Sequence, residues 1–530
     1  MAGKIIPLET HVSSEPRRSP NTDDARWPID TPGGRFYAEW DSQAPVSREG
    51  QLMFFFQFLE AGGRWESFLA DCPLHYFGNR GSGKLNVMGT ALLSILCGHW
   101  RYAHINSVRG DTVNADLLGM RRIVSQDVVR TGLKRMEEAP SLEWVQRHIL
   151  QSISPALILP WILDIDTTVK CLYGHQQGAQ IGYNPHKPGR PSHSYHSYFV
   201  ANLRISLGVD VLPGNESAAT HGMSGLWQML GSLPREQWPT FIRGDCAYGN
   251  EKIMTDLEAR GLPYLLKLRH TPKVKALVRE LLGRSEGWVD CGDGWDAAEA
   301  RIKLTGWSQE RRVIIVRESP AIAPVGENKR RRRDPFELRD KHGKGIGAHS
   351  PAPWSGRIAV LVSSLDEQAF PTQCMPKQYR DRGDAENNYD ELKNQWGWCG
   401  YTTQKLAPCR IMANLIALFY NWWNLYIRFY DEAHHREAIS SRPALMQGVA
   451  RQVQGGGQRT MKVRIVHEKK DIIEELVEQT SRQLHQMKLI TERWSTLEQW
   501  SLLLTRLLRR WLGGKWLPGL PDEAHLLLSG

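Results

Sequence analysis

The stretch from residue 378 to residue 393 carries four side chains that could do chemistry at spacings typical of one helix face. At about 100° per residue, an arc of roughly 60° would contain all of them: Tyr379, Arg382, Glu386 and Lys393. Such a row is unusual for a buried core. By itself, however, it fits a solvated face of ion pairs better than an active site.

Aspartates at the ends of predicted strands add candidate carboxylates. Asp164 and Asp166 end the apolar run 156–166 and, being two residues apart, share one strand face. Asp245 ends a second apolar run, 240–245. Ligands of α/β sheets bind beyond the carboxyl ends of strands, so these acids could converge. Taken singly, each is more typical of a turn or a cap.

Two strand-end aspartates with a helical glutamate meet the needs of two-metal phosphoryl chemistry. Three carboxylates can hold two Mg²⁺ or Mn²⁺ ions about 4 Å apart, one activating the nucleophile and one stabilising the leaving oxygen. The residues alone leave two choices open. Asp164 competes with Asp166, and Asp390, on the same helix face, competes with Glu386.

Composition restricts the class of protein. The 67 Lys and Arg exceed the 57 Asp and Glu by ten, and the pI near 9.1 favours a polyanionic partner such as nucleic acid. With 41% hydrophobic residues, wholesale disorder is excluded. The eight cysteines form no CxxC pair, which indicates a reducing compartment.

No segment of the sequence is typical of a membrane protein. The most apolar stretch, 411–427, is interrupted by Asn414, Asn421 and Asn424 and is predicted to be a buried helix. The N-terminus lacks the apolar core of a signal peptide. We therefore expect a soluble cytoplasmic protein, associated with the nucleoid and without a membrane partner.

The elements that must position the acids follow a mixed α/β pattern. Strands are predicted at 156–166, 198–209, 240–245 and 264–268, and helices at 222–233 and 250–260. Strands that alternate with helices indicate a mixed or parallel central sheet.

Residues 1–47 are predicted to form a flexible arm, and residues 48–150 a helical region. Within that region, Ser125 is a candidate N-cap for a helix over 126–136. Arg130, Lys134 and Arg135 on this helix fit helix-turn-helix recognition of DNA, or an ordinary solvated helix.

The rest of the chain alternates between β-rich and helical segments. Residues 270–376 contain predicted strands at 311–317 and 356–363 and the basic run 329–333, which fits a solvated loop or a loop that contacts phosphates. Further predictions are helices at 375–396, 408–430, 469–489 and 497–512 and a strand at 460–466. The apolar residues of the first C-terminal helix fit a dimer interface or packing on the chain's own core: Ile473, Leu476, Val477, Leu484 and Met487.

Several motifs together resemble one known family. The spacing Tyr379-(2)-Arg382-(3)-Glu386-(6)-Lys393 resembles the Y-R-E-K signature of bacterial insertion-sequence transposases of the DDE class. Asp166-Thr-Thr resembles the first acidic motif of that class, and Gly244-Asp-Cys-Ala-Tyr248 the second. The stretch from Gly182 to Ser192 resembles its strand-turn after the first aspartate.

The resemblance implies an RNase H-like catalytic core, here 151–269 and 377–440, interrupted by the β-rich insertion 270–376. Residues 48–150 would bind the DNA end, and the helical region 441–530 could dimerise. The resemblance favours Asp166 and Glu386 over their rivals. The implied roles are metal binding for Asp166, Asp245 and Glu386, phosphate contacts for Tyr379, Arg382 and Lys393, and stacking of a flipped base for Trp288, Trp295 or Trp307, for each of which core packing is the alternative.

The function implied is cut-and-paste transposition through a DNA hairpin, with two Mg²⁺ or Mn²⁺ ions as cofactors. The partners would be the terminal inverted repeats of the element, target DNA and a second copy of the chain. The alternatives are a nuclease of the same fold that cuts without joining, and an inactive DNA-binding relic.

Overall fold

Ten strands between Ile162 and Ser363 form one mixed sheet, and helices precede and follow these strands in the sequence. The computed structural model describes residues 27–38, 45–76, 82–184, 187–216, 222–284, 286–319 and 356–524. Within these ranges no helix is long and apolar enough to cross a membrane. All eight cysteines are free.

Part of the segment expected to be a flexible arm is ordered. Strands β1 (Trp27–Thr31) and β2 (Gly34–Ala38) form an antiparallel hairpin. The short strand β3 (Val46–Ser47) pairs with residues Ala450 and Arg451 near the C-terminus. The expected arm therefore differs from the structure over these strands, while residues 1–26 and 39–44 lie outside the described part.

The helical prediction for residues 48–150 is confirmed as secondary structure. The helices are α1 (Leu52–Ala61), α2 (Arg64–Ala70), α3 (Lys84–Leu96), α4 (Thr112–Leu117), α5 (Gln126–Arg135) and α6 (Glu138–Gln151). Helix α5 begins directly after Ser125 as predicted, but the Ser125 side chain makes no capping hydrogen bond. It buries Val129 and Leu133 and exposes Lys134 and Arg135. DNA binding by this helix stays a prediction.

The central strands and the helices between them confirm the alternating pattern. They are β4 (Ile162–Cys171), β5 (Gln180–Ile181), β6 (Pro191–Val200), β7 (Ile205–Pro213), α7 (Gly222–Gly231), β8 (Phe241–Gly244), α8 (Glu251–Ala259) and β9 (Tyr264–Lys267). The order across the sheet is β7-β6-β4-β8-β9. Strands β7, β6 and β4 are antiparallel neighbours, whereas β4, β8 and β9 are parallel.

The prediction of one strand over 198–209 is wrong. The chain turns between β6 and β7, so the apolar run contributes to two antiparallel strands. Asn202 and Arg204 adopt left-handed backbone conformations, with φ of 64° and 52°. Such residues end a strand. The apolar character on both sides of the turn hid it.

The described residues of the range 270–376, predicted to be a β-rich insertion, extend the same sheet. Helix α9 (Pro272–Leu282) leads to β10 (Val289–Asp290), β11 (Trp295–Ile302), β12 (Arg311–Glu318) and β13 (Ile358–Ser363). The last two confirm the predicted strands, and β13 pairs antiparallel with β9. The basic run Lys329–Arg333 lies outside the described residues.

The helix predicted over 375–396 is broken. Helix α10 (Met375–Arg380) ends before Arg382, and α11 (Gly383–Asn394) begins after it. Gly383, a poor helix former, stands at the break. The face calculated for one continuous helix therefore does not hold across Arg382.

Helix α12 (Leu406–Ile427) confirms the predicted buried helix and covers an edge of the sheet. Its asparagines bond to the backbone of β7. The amide of Asn421 accepts from the Ser206 N–H at 2.9 Å and donates to the Ser206 carbonyl at 2.7 Å. Asn414 makes the same pair of bonds with Val209. The asparagines that interrupt the apolar run thus provide hydrogen-bond partners for the backbone of an edge strand.

The C-terminal helices pack on the chain itself. The elements here are α13 (Ala438–Leu445), β14 (Val449–Gly455), β15 (Gln458–Arg464), α14 (Lys470–Ile490) and α15 (Thr496–Leu507). The side chains of Ile473, Val477, Leu484 and Met487 are buried in the core of the chain, and that of Leu476 is half-buried. Of the two interpretations of this apolar face, the structure therefore supports core packing rather than a dimer interface.

Replacing Asn421 by Ala should destabilise the protein by about 2–5 kcal/mol, because a buried N–H and a buried carbonyl of Ser206 lose their partner. The midpoint of urea unfolding measures this. Asn394→Ala is the control, since Asn394 bonds only the exposed Asp390 side chain, and should change stability by less than about 0.5 kcal/mol. Equal midpoints for the two variants would contradict the edge-satisfying role.

Candidate active site

Asp166 and Asp245 lie side by side on the central sheet. Asp166 is within β4 and Asp245 directly follows β8. The parallel register that pairs Ile165 with Gly244 makes the two aspartates neighbours across strands about 4.8 Å apart. The structure therefore brings together two carboxylates that the sequence singled out. The strand predicted over 156–166 lies instead at Ile162–Cys171, so Asp166 is inside the strand and not at its end.

Each of these carboxylates is oriented by a backbone donor. The Thr167 N–H donates to Asp166 at 2.7 Å, and the Ala247 N–H donates to Asp245 at 2.8 Å. Carboxylate oxygens are the ligands that Mg²⁺ and Mn²⁺ prefer. Within the described residues no group of three or more His, Cys, Asp or Glu could hold a metal ion. The carboxylates of Asp166 and Asp245 suit such ions, and they are the two that the described residues place at the site.

Arg382, at the break between α10 and α11, reaches across to the sheet. Its guanidinium donates to Asp166 at 2.5 Å, and both side chains are largely buried. Burial alone would lower the pKa of Arg382, but the Asp166 carboxylate and the neighbouring acids raise it above its usual value. Arg382 therefore stays charged. Its Nε is buried without a hydrogen-bond partner.

Tyr379 stands at the same end of β8. Its hydroxyl donates to the Gly244 carbonyl at 3.4 Å. Burial raises the pKa of Tyr379 to about 12; Arg382 acts against this shift, and Asp245 and Asp166 add to it. The phenol is therefore neutral at physiological pH and serves as a hydrogen-bond donor.

Asp164 is engaged in a different interaction. Arg243 of β8 donates to both of its oxygens, at 2.7 and 2.8 Å, and the two side chains are 1% and 2% exposed. A third donor of Arg243 bonds the carbonyl of Gln378 in α10. Of the two neighbouring aspartates, Asp164 thus ties β4, β8 and α10 together, while Asp166 faces Arg382.

The remaining residues of the Tyr-Arg-Glu-Lys row spread along α11. Glu386 lies in this helix, but its side chain is outside the described part of the structure. Its rival Asp390 is exposed and accepts a bond from Asn394 at 2.7 Å. Lys393 is partly buried in the last turn, about 15 Å along the helix from Gly383.

The three candidate tryptophans differ in their surroundings. Trp307 is 8% exposed and belongs to the core. Trp288 is covered by the guanidinium of Arg317, 3.7 Å from the ring centre. Trp295 lies 5.3 Å from the guanidinium of Arg380, which is in α10. Of the three, Trp295 is therefore the one that contacts an element of the site.

A network of hydroxyls behind Asp166 was not anticipated. The Thr167 hydroxyl bonds the hydroxyl of Tyr248 at 2.8 Å and a ring nitrogen of His196 at 3.0 Å. Tyr389 of α11 bonds Ser197 of β6. Thr167 and Tyr248 stand inside the two acidic motifs, so their positions beside the aspartates were a usable signal. For His196 and Tyr389 the sequence offered none.

Part of the chain matches a known protein family. Residues 85–331, a little under half of the chain, match the family described as "Transposase DDE domain group 1". The match supports a DDE transposase. It includes Asp166 and Asp245 and ends before Tyr379, so it does not test the Tyr-Arg-Glu-Lys row or a bacterial insertion-sequence origin.

Two further comparisons add little. No curated protein matches the sequence. A solved structure, described as "Cryo-EM structure of piggyBac transposase synaptic complex with hairpin DNA (SNHP)", is similar over 91% of this chain and 90% of its own, at 14% identity and a TM-score of 0.34. A TM-score this low carries no argument about shared fold or function.

Removing one member of the buried ion pair between Asp164 and Arg243 should destabilise the protein. Asp164→Asn leaves Arg243 without its counter-charge, so stability should fall by about 3–5 kcal/mol, measured by urea unfolding. Replacing both residues with apolar ones, Asp164→Leu with Arg243→Met, should recover most of this loss. A double variant as unstable as the single one would contradict the interpretation of the pair as a structural tie.

Proposed function

We propose that this protein is an insertion-sequence transposase with an RNase H-like core, which cuts DNA at the ends of the element and joins them to target DNA. The observation that carries the proposal is the pairing of Asp166 with Asp245 on adjacent parallel strands, faced by Arg382 and Tyr379. The strand order, three antiparallel strands followed by two parallel ones, supports such a core. The family match supports a transposase in general.

Asp166 and Asp245, together with Glu386 of α11, would hold two Mg²⁺ or Mn²⁺ ions. DDE transposases are in general dependent on divalent metal ions. Such ions, when bound, activate the attacking oxygen and stabilise the leaving one. The backbone N–H groups of Thr167 and Ala247 keep one oxygen of each aspartate in a fixed direction.

Arg382 and Tyr379 would bind the phosphate that is attacked. Arg382 is a fixed cation, and Tyr379 is a neutral phenol beside it. Both donate to phosphate oxygens. Lys393, farther along α11, would contact a different phosphate of the same DNA end. In this reaction water and the 3′-hydroxyl of the DNA are the nucleophiles, so Tyr379 acts as a phosphate contact and no covalent protein–DNA adduct is needed.

The reaction we propose has three steps on the DNA. Water attacks a phosphodiester at the element's end and frees a 3′-hydroxyl. That hydroxyl attacks the opposite strand, which closes a hairpin and releases the flanking DNA. After the hairpin is opened by water, the 3′-hydroxyl attacks target DNA. A base turned out of the hairpin would stack on Trp295, the candidate tryptophan next to α10.

The partners follow from this reaction. The protein would bind the terminal inverted repeats of the element, with α5 and the rest of residues 48–150 contacting the duplex, and then target DNA. Two copies would pair two ends, through a surface other than the buried face of α14. The place of action would be the bacterial nucleoid in the cytoplasm.

A nuclease without strand transfer, or an inactive relic, is separated from a transposase by its products. Labelled element ends are incubated with the protein, Mg²⁺ and a supercoiled plasmid. We expect labelled DNA joined to the plasmid. Cleavage without joined product would support the nuclease, and DNA binding without cleavage the relic.

Glu386→Gln should bind element ends as the unchanged protein does but lose Mg²⁺-dependent nicking by at least about a thousandfold, because a metal ligand loses its charge. A gel assay with an end-labelled duplex measures both properties. Asp390→Asn is the matched control and should nick normally, since Asp390 is exposed and bonded to Asn394. Nicking retained in Glu386→Gln and lost in the control would move the third ligand to Asp390.

Tyr379→Phe should slow end cleavage about tenfold, the loss expected for one hydrogen bond to a reacting phosphate. The ratio of the two rates should stay constant from pH 7 to pH 10. A pKa near 12 keeps the phenol protonated throughout this range. Rates measured at each pH provide the test, and a ratio that falls toward one by pH 10 would show that the phenol ionises there.

A further inference from the structure

The segment that follows Asp166 in β4 has an unusual charge composition. From Thr167 to Val209, 43 consecutive residues, the sequence contains no Asp or Glu, although 57 of the 530 residues of the chain are acidic. The segment begins one residue after Asp166. It forms the end of β4, the loop to β6 and the hairpin of β6 with β7.

Two cations in this loop surround one exposed aromatic ring. Lys187 donates to the hydroxyl of Tyr173 at 2.6 Å and lies 5.3 Å from its ring centre. The guanidinium of Arg190 lies 4.9 Å from the same centre. Tyr173 is 68% exposed, and Tyr183 in the same loop is 85% exposed. We call Tyr173, Tyr183, Lys187 and Arg190 the Tyr173 patch.

Within the part of the chain that the structure describes, no acidic side chain neutralises the Tyr173 patch. Among the described residues no carboxylate forms an ion pair with Lys187 or Arg190, in contrast to the exposed cations of α14, where Arg482 pairs with Glu478 and Lys488 with Glu60. A surface of cations and exposed tyrosines without acids is complementary to a polyanion with stacked bases.

The base of the loop is held firmly. Gln177 donates its N–H to the carbonyl of Gln404 at 2.8 Å, directly before α12. The Gly214 N–H donates to the carbonyl of Gly178 at 3.2 Å. Gly182 packs so closely on Gly214 that a Cβ would lie 1.8 Å from its carbonyl oxygen. The patch is therefore presented from a fixed base.

We propose that the Tyr173 patch binds the phosphate backbone of duplex DNA next to the cleavage site. The inference rests on the proposed function and adds to it a DNA contact outside the Tyr-Arg-Glu-Lys row. The five residue-to-residue steps of β4 from Asp166 to Cys171 span about 17 Å. This distance corresponds to about five base pairs at 3.4 Å each. The patch would thus contact phosphates about five or more base pairs from the one attacked at the site.

The test compares the salt dependence of DNA binding. The full-length protein, the double variant Lys187→Gln with Arg190→Gln, and the control Arg482→Gln with Lys488→Gln are titrated with a fluorescein-labelled 40-base-pair duplex of mixed sequence. Divalent metal is left out, so that cleavage plays no part, and NaCl is varied from about 50 to 300 mM, a range in which phosphate contacts weaken strongly. The control removes the same charge from cations that are already paired.

Loss of two phosphate contacts should reduce the slope of log K against log salt by about two and weaken binding about tenfold or more near 0.1 M salt. The control should keep the slope of the unchanged protein. A double variant that binds DNA with unchanged slope and affinity would overturn this inference alone. Failure of the unchanged protein to bind duplex DNA at any salt would overturn the proposed function as well.

The ring itself is tested by two substitutions at one position. Tyr173→Phe keeps the aromatic face between the two cations, so its affinity should stay within about twofold. Tyr173→Ala removes that face and should weaken binding about fivefold or more. Thermal unfolding of each variant serves as the folding control. Equal affinities for the two variants would overturn the organising role of the ring.

Discussion

The arrangement of the site depends on the buried ion pair between Asp164 and Arg243. Two charges this far from water are tolerated only while both are present and fully hydrogen-bonded. Their contact fixes the register of β4 against β8. A slip of β4 by one residue would turn Asp166 to the opposite face of the sheet. Since Arg243 also bonds the backbone of Gln378, the same side chain sets where α10 meets the sheet.

Helix α12 covers the edge of the sheet at β7. The N–H and carbonyl groups of an uncovered edge strand can pair with a strand of another chain. Asn414 and Asn421, seven residues apart and hence two turns along one helix face, meet Ser206 and Val209 of β7. Buried amides are thus what allows an otherwise apolar helix to cover this edge. The opposite side of the sheet is continued by β13, so β9 is not an edge.

The positive charge of the chain is distributed in a way that suits a reaction on DNA. Buried arginines at the site, Arg243 and Arg382, are neutralised by aspartates. The exposed cations Lys187 and Arg190 pair with no acid among the described residues, and they lie in a segment without acids that starts one residue after Asp166. Net charge alone could not separate these two groups, because pairing is a property of the fold.

The sequence by itself determined the element types around the site, the buried nature of α12 and the candidate acids Asp166 and Asp245. These follow from local periodicity and from residue types at strand ends. Only the tertiary structure decided what each charged group faces. Asp164 and Asp166 share a strand face two residues apart, yet Arg243 engages one and Arg382 the other. The break at Arg382 and the turn at Asn202 were hidden because helix and strand periodicity continue across them. Contacts over such separations, 216 residues between Asp166 and Arg382, depend on strand register and helix placement, which no local pattern encodes.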